Sequence, residues 1–125
     1  MNHIEIKPLF SLPKDVAKII YRIADQVVQP QCCFGNAMLL SQHFPDVDYV
    51  EGYYRLCIHH AWNCYKGIHF DITSERFGGG KPPYKAVIQG CLSDLEEKYP
   101  IPTDYPVYDG IVIPFLNRWQ EKRSH

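Results

Sequence analysis

The 125-residue chain has no apolar run approaching the roughly 20 residues that a membrane-spanning helix needs. Its opening, Met1-Asn2-His3-Ile4-Glu5-Ile6-Lys7-Pro8, lacks the basic segment and apolar stretch of a secretory leader, so no signal peptide is expected. Neither charge sign dominates. Thirteen Lys and Arg against fourteen Asp and Glu leave a net charge of −1, which gives no electrostatic reason to expect nucleic acid or a membrane surface as partner. Lys122 and Arg123 read as the solvated end of a helix. There is no Cys-x-x-Cys pair. The five cysteines, Cys32, Cys33, Cys57, Cys64 and Cys91, are odd in number, so reduced thiols and a cytoplasmic location are expected. Gly78-Gly79-Gly80-Lys81 lacks the Walker spacing and no strand leads into it, so it reads as a flexible connection and not a phosphate cradle. No internal repeat and no low-complexity segment is present. What remains is one domain over residues 1–125, with an ordinary globular composition and no expected cofactor.

Residues 1–10 read as an arm or a short edge strand. Ser11 is placed to cap a helix, with Pro13 just inside its start and Asp15 in the first turn. Val16, Ile19, Ile20, Ile23 and Val27 recur at helical spacing, and Pro30 ends the pattern. A second helix is expected from Cys32 or Cys33 to about His43, with Cys33, Ala37, Leu40 and Phe44 along one apolar face. From Val47 the period changes to two. Strands are expected over Val47–Tyr54, Ile58–Tyr65 and Ile68–Thr73; the first two form either a hairpin or one bent strand, and a turn lies at Lys66-Gly67. Tyr84, Val87, Ile88, Cys91, Leu92, Leu95 and Tyr99 read as a further helical stripe closed by Pro100. Beyond an irregular Pro- and Tyr-rich stretch, a short strand at Ile111–Ile113 and a helix from Pro114 carrying Phe115, Leu116 and Trp119 are expected. The fold class is therefore α+β, helices flanking an antiparallel sheet.

The chemistry lies between Cys33 and Asp71. A two-residue turn at Lys66-Gly67 sets Tyr65 against Ile68, Cys64 against His69, Asn63 against Phe70 and Trp62 against Asp71. Alternation then places His60, Trp62 and Asp71 on one face, with His60 and Asp71 diagonal neighbours about 7–8 Å apart between backbones. A helix packed on that face would bring Cys33 beside His60. A thiol with its ordinary pKa of about 8.5 is a weak nucleophile at neutral pH unless its thiolate is stabilised. A helix start and an adjacent imidazolium both supply that stabilisation. In this arrangement Cys33 is the nucleophile, His60 the base and Asp71 the group that fixes the imidazole. The Cys33 N–H is one candidate oxyanion donor. For the second, and for substrate contact, Gln31, Gln29, Gln26, Glu51 and Trp62 are the candidates, although packing suffices to explain Trp62.

His60-Ala61-Trp62, a glycine turn and then Asp71-Ile72-Thr73 resembles the His-Ala-Trp…Asp-Pro-Thr signature of the transglutaminase-like superfamily. Cys33-Phe34-Gly35-Asn36-Ala37 followed by Tyr49-Val50-Glu51-Gly52-Tyr53 is similar to small bacterial and phage members of that group. The resemblance covers roughly residues 30–75. It implies a papain-like core, a helix bearing the nucleophile packed on an antiparallel sheet bearing His and Asp. It also implies Cys33, His60 and Asp71 as the triad of an amide hydrolase or acyltransferase that works through a thioester. Its substrates would be protein or peptide amides, or small acyl amides. Ile72 stands where the signature has proline, and only 27 positions separate Cys33 from His60, which implies a minimal cleft.

Two other readings compete. A catalytically inactive interaction module on the same fold would use the amphipathic surface that Tyr49, Tyr53, Tyr54, Tyr65, Tyr84, Tyr105 and Tyr108 offer for partner contacts. A zinc site would draw on Cys57, His59, His60 and Cys64, with Cys32 or Cys33. Period-two alternation sends His59 and His60 to opposite faces and opposes the zinc site.

Overall fold

The computed structural model describes residues 3–55, 57–101 and 113–118. A 3-10 turn at Leu9–Ser11 leads into α1 (Lys14–Val27). Ser11 is spent in that turn and does not cap the helix; Pro13, with φ fixed at −53°, is the cap residue. The buried face of α1 is Val16, Ala17, Ile20 and Ala24, while Ile19 is 43% exposed, so the apolar stripe runs one position off the expected line. Helix α2 (Cys33–His43) starts where its sequence indicates, with Cys32 as the preceding cap residue, and buries Asn36, Ala37, Leu40 and Ser41.

The sheet is antiparallel. Its strands β1 (Asp48–Tyr54), β2 (Ile58–Tyr65), β3 (Ile68–Phe70) and β4 (Tyr84–Gly90) lie in the order β3-β2-β1-β4. β1 and β2 form a hairpin, Tyr54 against Ile58, and are not one bent strand. Lys66 (φ 45°) and Gly67 (φ 85°) make the β2–β3 turn, both in the left-handed region that a two-residue hairpin of this type requires. The pairs Tyr65–Ile68, Cys64–His69 and Asn63–Phe70 follow as expected.

Two expectations are overturned. The third strand does not run to Thr73: it stops at Phe70, and α3 (Ile72–Phe77) begins with Asp71 as its N-cap. Nor is residues 84–99 one helix. Tyr84 to Gly90 is β4, with Tyr84 and Ile88 buried and Val87 47% exposed, and only Leu92–Lys98 is helical, as α4. Tyr84, Val87, Ile88 and Cys91 have helical spacing by coincidence; pairing with β1 carries a register shift at Val87, so Tyr84 and Ile88 are buried on opposite faces of the sheet. Residues 115–118 are helical, whereas 102–112 and Trp119, with most of the expected last strand, lie outside the described residues. Among the described residues no helix is long and apolar enough to cross a membrane.

Three clusters make the core. One joins Leu9, Leu12, Val16, Ile20 and Leu40 to Val47, Tyr65, Phe70 and Ile72. A second gathers Ala37, Tyr49, Ala61, Ile88, Leu95, Phe115 and Leu116 between α2, one face of the sheet and the C-terminal turn. The third covers the opposite face, with Val50, Trp62, Cys64 and Tyr84 against Ile4, Ile6 and Tyr54. The N-terminal arm supplies Ile4 and Ile6. Ile4 bridges to Tyr84 on β4 and Ile6 to His69 on β3, through Ile4 N–H to Tyr84 O (2.8 Å) and Lys7 N–H to His69 O (2.8 Å).

Glu51 is fully buried in the second cluster. Its carboxylate accepts the Tyr49 hydroxyl (2.7 Å) and the backbone N–H groups of Phe115 (2.6 Å) and Leu116 (2.9 Å), and lies 3.3 Å from His59 Nε2. The two N–H groups belong to the first turn of the C-terminal helical segment, so Glu51 satisfies donors that have no intrahelical acceptor. Glu51→Ala strands three donors in the core and is expected to lower unfolding free energy by about 3 kcal/mol, read by urea denaturation.

Candidate active site

β3 pairs only with Asn63–Tyr65 of β2, which leaves residues 58–62 of β2 without a strand on that side. Here a cleft of about 490 Å³ opens, with Cys33, His59, His60 and Tyr54 among its lining residues and Phe77-Gly78-Gly79-Gly80 along one side. Cys33 and His60 thus meet as expected, but not by the expected route. α2 packs on the face of β2 that carries Ala61 and Asn63: Asn63 Nδ2 donates to Ala37 O (3.0 Å) and Ser41 Oγ (3.1 Å). His60 projects from the other face, stacked on Trp62 (ring centroids 6.2 Å) and met edge-on by Tyr54 (4.9 Å) and Tyr84 (6.1 Å). The two groups reach the cleft from opposite sides of the sheet, at the stretch of β2 that β3 leaves uncovered.

Asp71 completes the set. Ending β3 early does not turn it away from His60, because as N-cap of α3 its side chain is held by that helix. Oδ2 lies 2.7 Å from His60 Nε2 and accepts the Ser74 hydroxyl (2.7 Å) and the Tyr84 hydroxyl (2.7 Å); Oδ1 accepts the Ser74 N–H (3.1 Å). Burial pushes the Asp71 carboxyl up, but the hydrogen bond and charge of His60, then Ser74 and Tyr84, outweigh it, and its pKa falls below the usual carboxylate value. Burial likewise pulls His60 down, and is outweighed by the hydrogen bond to Asp71, then by Cys33, which hold the imidazolium up to a pKa of about 9. With Nε2 committed to Asp71, Nδ1 is the nitrogen left for the Cys33 thiol. Tyr84 is held well above its ordinary pKa by burial and then by the Asp71 charge, so it stays a donor to that carboxylate.

The other expected residues separate. Of the three glutamines only Gln31 lines the cleft, with φ 60°; Gln26 is exposed on α1, and Gln29 is exposed beside Pro30. Trp62 is buried behind His60, its Nε1–H donated to His69 Nδ1 (2.9 Å), a packing role. Glu51 is engaged with the C-terminal segment. Cys32 is exposed and does not line the cleft. Among the described residues, no three His, Cys, Asp or Glu side chains converge as metal ligands would.

Several residues that build the site escaped the sequence reading. Tyr84 lay in the stretch read as helix. Ser74 was signalled by the Asp71-Ile72-Thr73-Ser74 pattern of a helix cap, masked by the apparent strand alternation. Asn36 is buried and clamps the approach to Cys33: its amide bonds the Gln29 N–H (3.0 Å) and C=O (2.7 Å) and the Thr73 hydroxyl (3.0 Å). An amide among apolar helix residues was its only signal. Gly80 donates its N–H to Ser74 Oγ (2.9 Å), and a Cβ there would run into the Tyr84 hydroxyl, Ser74 Oγ and Asp71 Oδ2.

No family model matches the chain, and no curated protein or solved structure matches it.

Two outcomes follow from this geometry. His60, raised from 6.5 to about 9, adds stability that is complete below pH 6.5 and is lost as pH rises through about 9. A two-dimensional NMR titration is expected to show His60 as the late-titrating imidazole, moving back toward 6.5 in Asp71→Asn, which also loses the pH dependence of melting over that interval. Gly80→Ala is expected to break the Asp71–Ser74–Tyr84 contacts and lower the His60 pKa in the same titration.

Proposed function

We propose that this chain is a thiol-dependent amide hydrolase or acyltransferase on a papain- or transglutaminase-like core, with Cys33 as nucleophile, His60 as acid and base, and Asp71 as the group that orients His60. The observation that carries this reading is His60 itself. Asp71 fixes its Nε2 at 2.7 Å, and its remaining nitrogen serves the one cysteine that lines the cleft at a helix start. A protonated imidazole beside the thiol and the first turn of α2 both favour the thiolate.

The chemistry runs in two halves. The Cys33 thiolate attacks the acyl carbon, and the carbonyl π electrons move to oxygen. When that tetrahedral species collapses, the carbon–nitrogen bond breaks and the proton on His60 Nδ1 goes to the leaving amine, leaving a thioester on Cys33. Water or an amine then attacks the thioester while His60 takes its proton; the carbon–sulfur bond breaks and Cys33 departs as thiolate. Asp71 stays ionised throughout and stabilises the imidazolium. None of the cleft-lining residues is Asp, Glu, Lys or Arg, and Phe77 and Pro30 give it apolar surface, which favours an uncharged acyl group on a peptide or small amide.

The test is selective labelling. Iodoacetamide at pH 6, read by peptide mass mapping, is expected to modify Cys33 ahead of the more exposed Cys32. His60→Ala is expected to slow that labelling at least tenfold and Cys32→Ala to leave it unchanged. Cys33→Ala abolishes turnover of a peptide anilide. Equal labelling of the two thiols, indifferent to His60→Ala, sinks the catalytic reading and leaves an interaction module on the same fold.

A further inference from the structure

Cys33 shares its cleft with two imidazoles, each paired with a carboxylate, and the proposed reaction uses one. The second is His59 with Glu51. His59 lines the cleft with Cys33 and His60 but projects from the α2 face of the sheet. Its ring is held between Phe34, the residue after the nucleophile (centroids 4.7 Å, edge-on), and Tyr53 (5.6 Å). Its Nε2 lies 3.3 Å from Glu51 Oε1, and Glu51 is fixed by Tyr49, Phe115 and Leu116. The side chain remains 24% exposed, toward the cleft.

Resting on the proposed thiol chemistry, we infer that His59 is the second oxyanion donor, acting with the backbone N–H of Cys33. Acyl transfer needs donors aimed at the oxygen where charge develops, on the side of the carbonyl away from the group that handles the proton. Here the faces divide that labour. His60 and Asp71 come from the face covered by Trp62 and Tyr84. The first turn of α2, whose Cys33 N–H has no intrahelical acceptor, and His59 come from the other. Nε2 is turned to a buried carboxylate, which leaves Nδ1 as the other ring nitrogen; with a proton on both nitrogens, Nδ1–H is the donor free for a developing oxyanion. Phe34 and Tyr53 keep the ring from swinging away. Among the glutamines considered for this role, Gln26 and Gln29 do not line the cleft, and Gln31 is exposed with no side-chain bond fixing it.

The experiment separates oxyanion stabilisation from thiol activation by using two probes of Cys33. Alkylation by iodoacetamide is a displacement with no oxyanion. Reversible addition of N-acetyl-phenylalaninal forms a hemithioacetal whose oxygen occupies the position of the oxyanion. In His59→Phe, which fills the slot between Phe34 and Tyr53 without an N–H, the alkylation rate is expected to match that of the wild type. Aldehyde affinity is expected to fall at least tenfold, and kcat for a peptide anilide about a hundredfold with KM little changed. His59→Gln keeps a donor and is expected to recover part of the aldehyde affinity; it also serves if His59→Phe fails to fold, as judged by its melting transition. Unchanged aldehyde affinity in a folded variant, or a parallel loss of alkylation and aldehyde binding, overturns the assignment. A wild-type protein in which neither probe selects Cys33 overturns the thiol chemistry itself, and the assignment with it.

Discussion

The carboxylate of Asp71 is the point on which the fold and the site both hang. A buried carboxylate is costly unless its oxygens are filled with donors. This one is filled from three directions: His60 from β2, Ser74 from the first turn of α3, and Tyr84 from the start of β4. Its backbone ends β3 and its side chain starts α3, so the change from strand to helix happens at the residue that holds the imidazole. Three of the four contacts converge on Oδ2, which leaves the carboxylate little freedom to rotate. Removing any one donor disturbs the orientation of the others.

A second buried carboxylate has a parallel anatomy and a different place. Glu51 also takes four partners, two of them backbone N–H groups of a helix start, and one an imidazole. The two histidines are adjacent in sequence, and strand alternation hands one to each carboxylate. Charges of one sign are thereby kept on opposite faces of a single sheet, each neutralised locally by donors from a different layer. The arrangement uses the pleat of β2 to bring two imidazoles from opposite faces into the cleft that Cys33 lines.

Much of this was legible in the residues, and the failures have physical causes. The β2–β3 register followed from Lys66-Gly67 because two consecutive left-handed residues admit few other turns. The start of α2 at Cys33 followed from the change of pattern after Pro30. The face on which α2 packs did not follow. Residues 61–65 of β2 are buried on both sides, so alternation separates His60 from Ala61 and Asn63 without saying which set meets the helix. Tyr84 to Gly90 was misread because a half-exposed edge strand with Val87 outward mimics a helical stripe over so few residues. Asn36 and Glu51 are polar side chains whose partners are distant in the chain, at Thr73 and at Phe115 and Leu116, and local pattern carries no trace of such pairings.

The N-terminal arm constrains the shape of the sheet. Ile4 is bonded to β4 and Ile6 to β3, the two outer strands, with a single residue between them. In a flat four-stranded sheet those strands lie about 14 Å apart, whereas two residues of extended chain reach about 7 Å. The sheet must therefore be rolled, its edges drawn together around Trp62 and Tyr84 as in a small barrel whose last seam is stitched by the arm. A rolled sheet of this kind offers little open edge at the stitched seam to a neighbouring chain. It also makes the arm a clasp: letting go at one seam loosens both outer strands, and with them the wall behind His60.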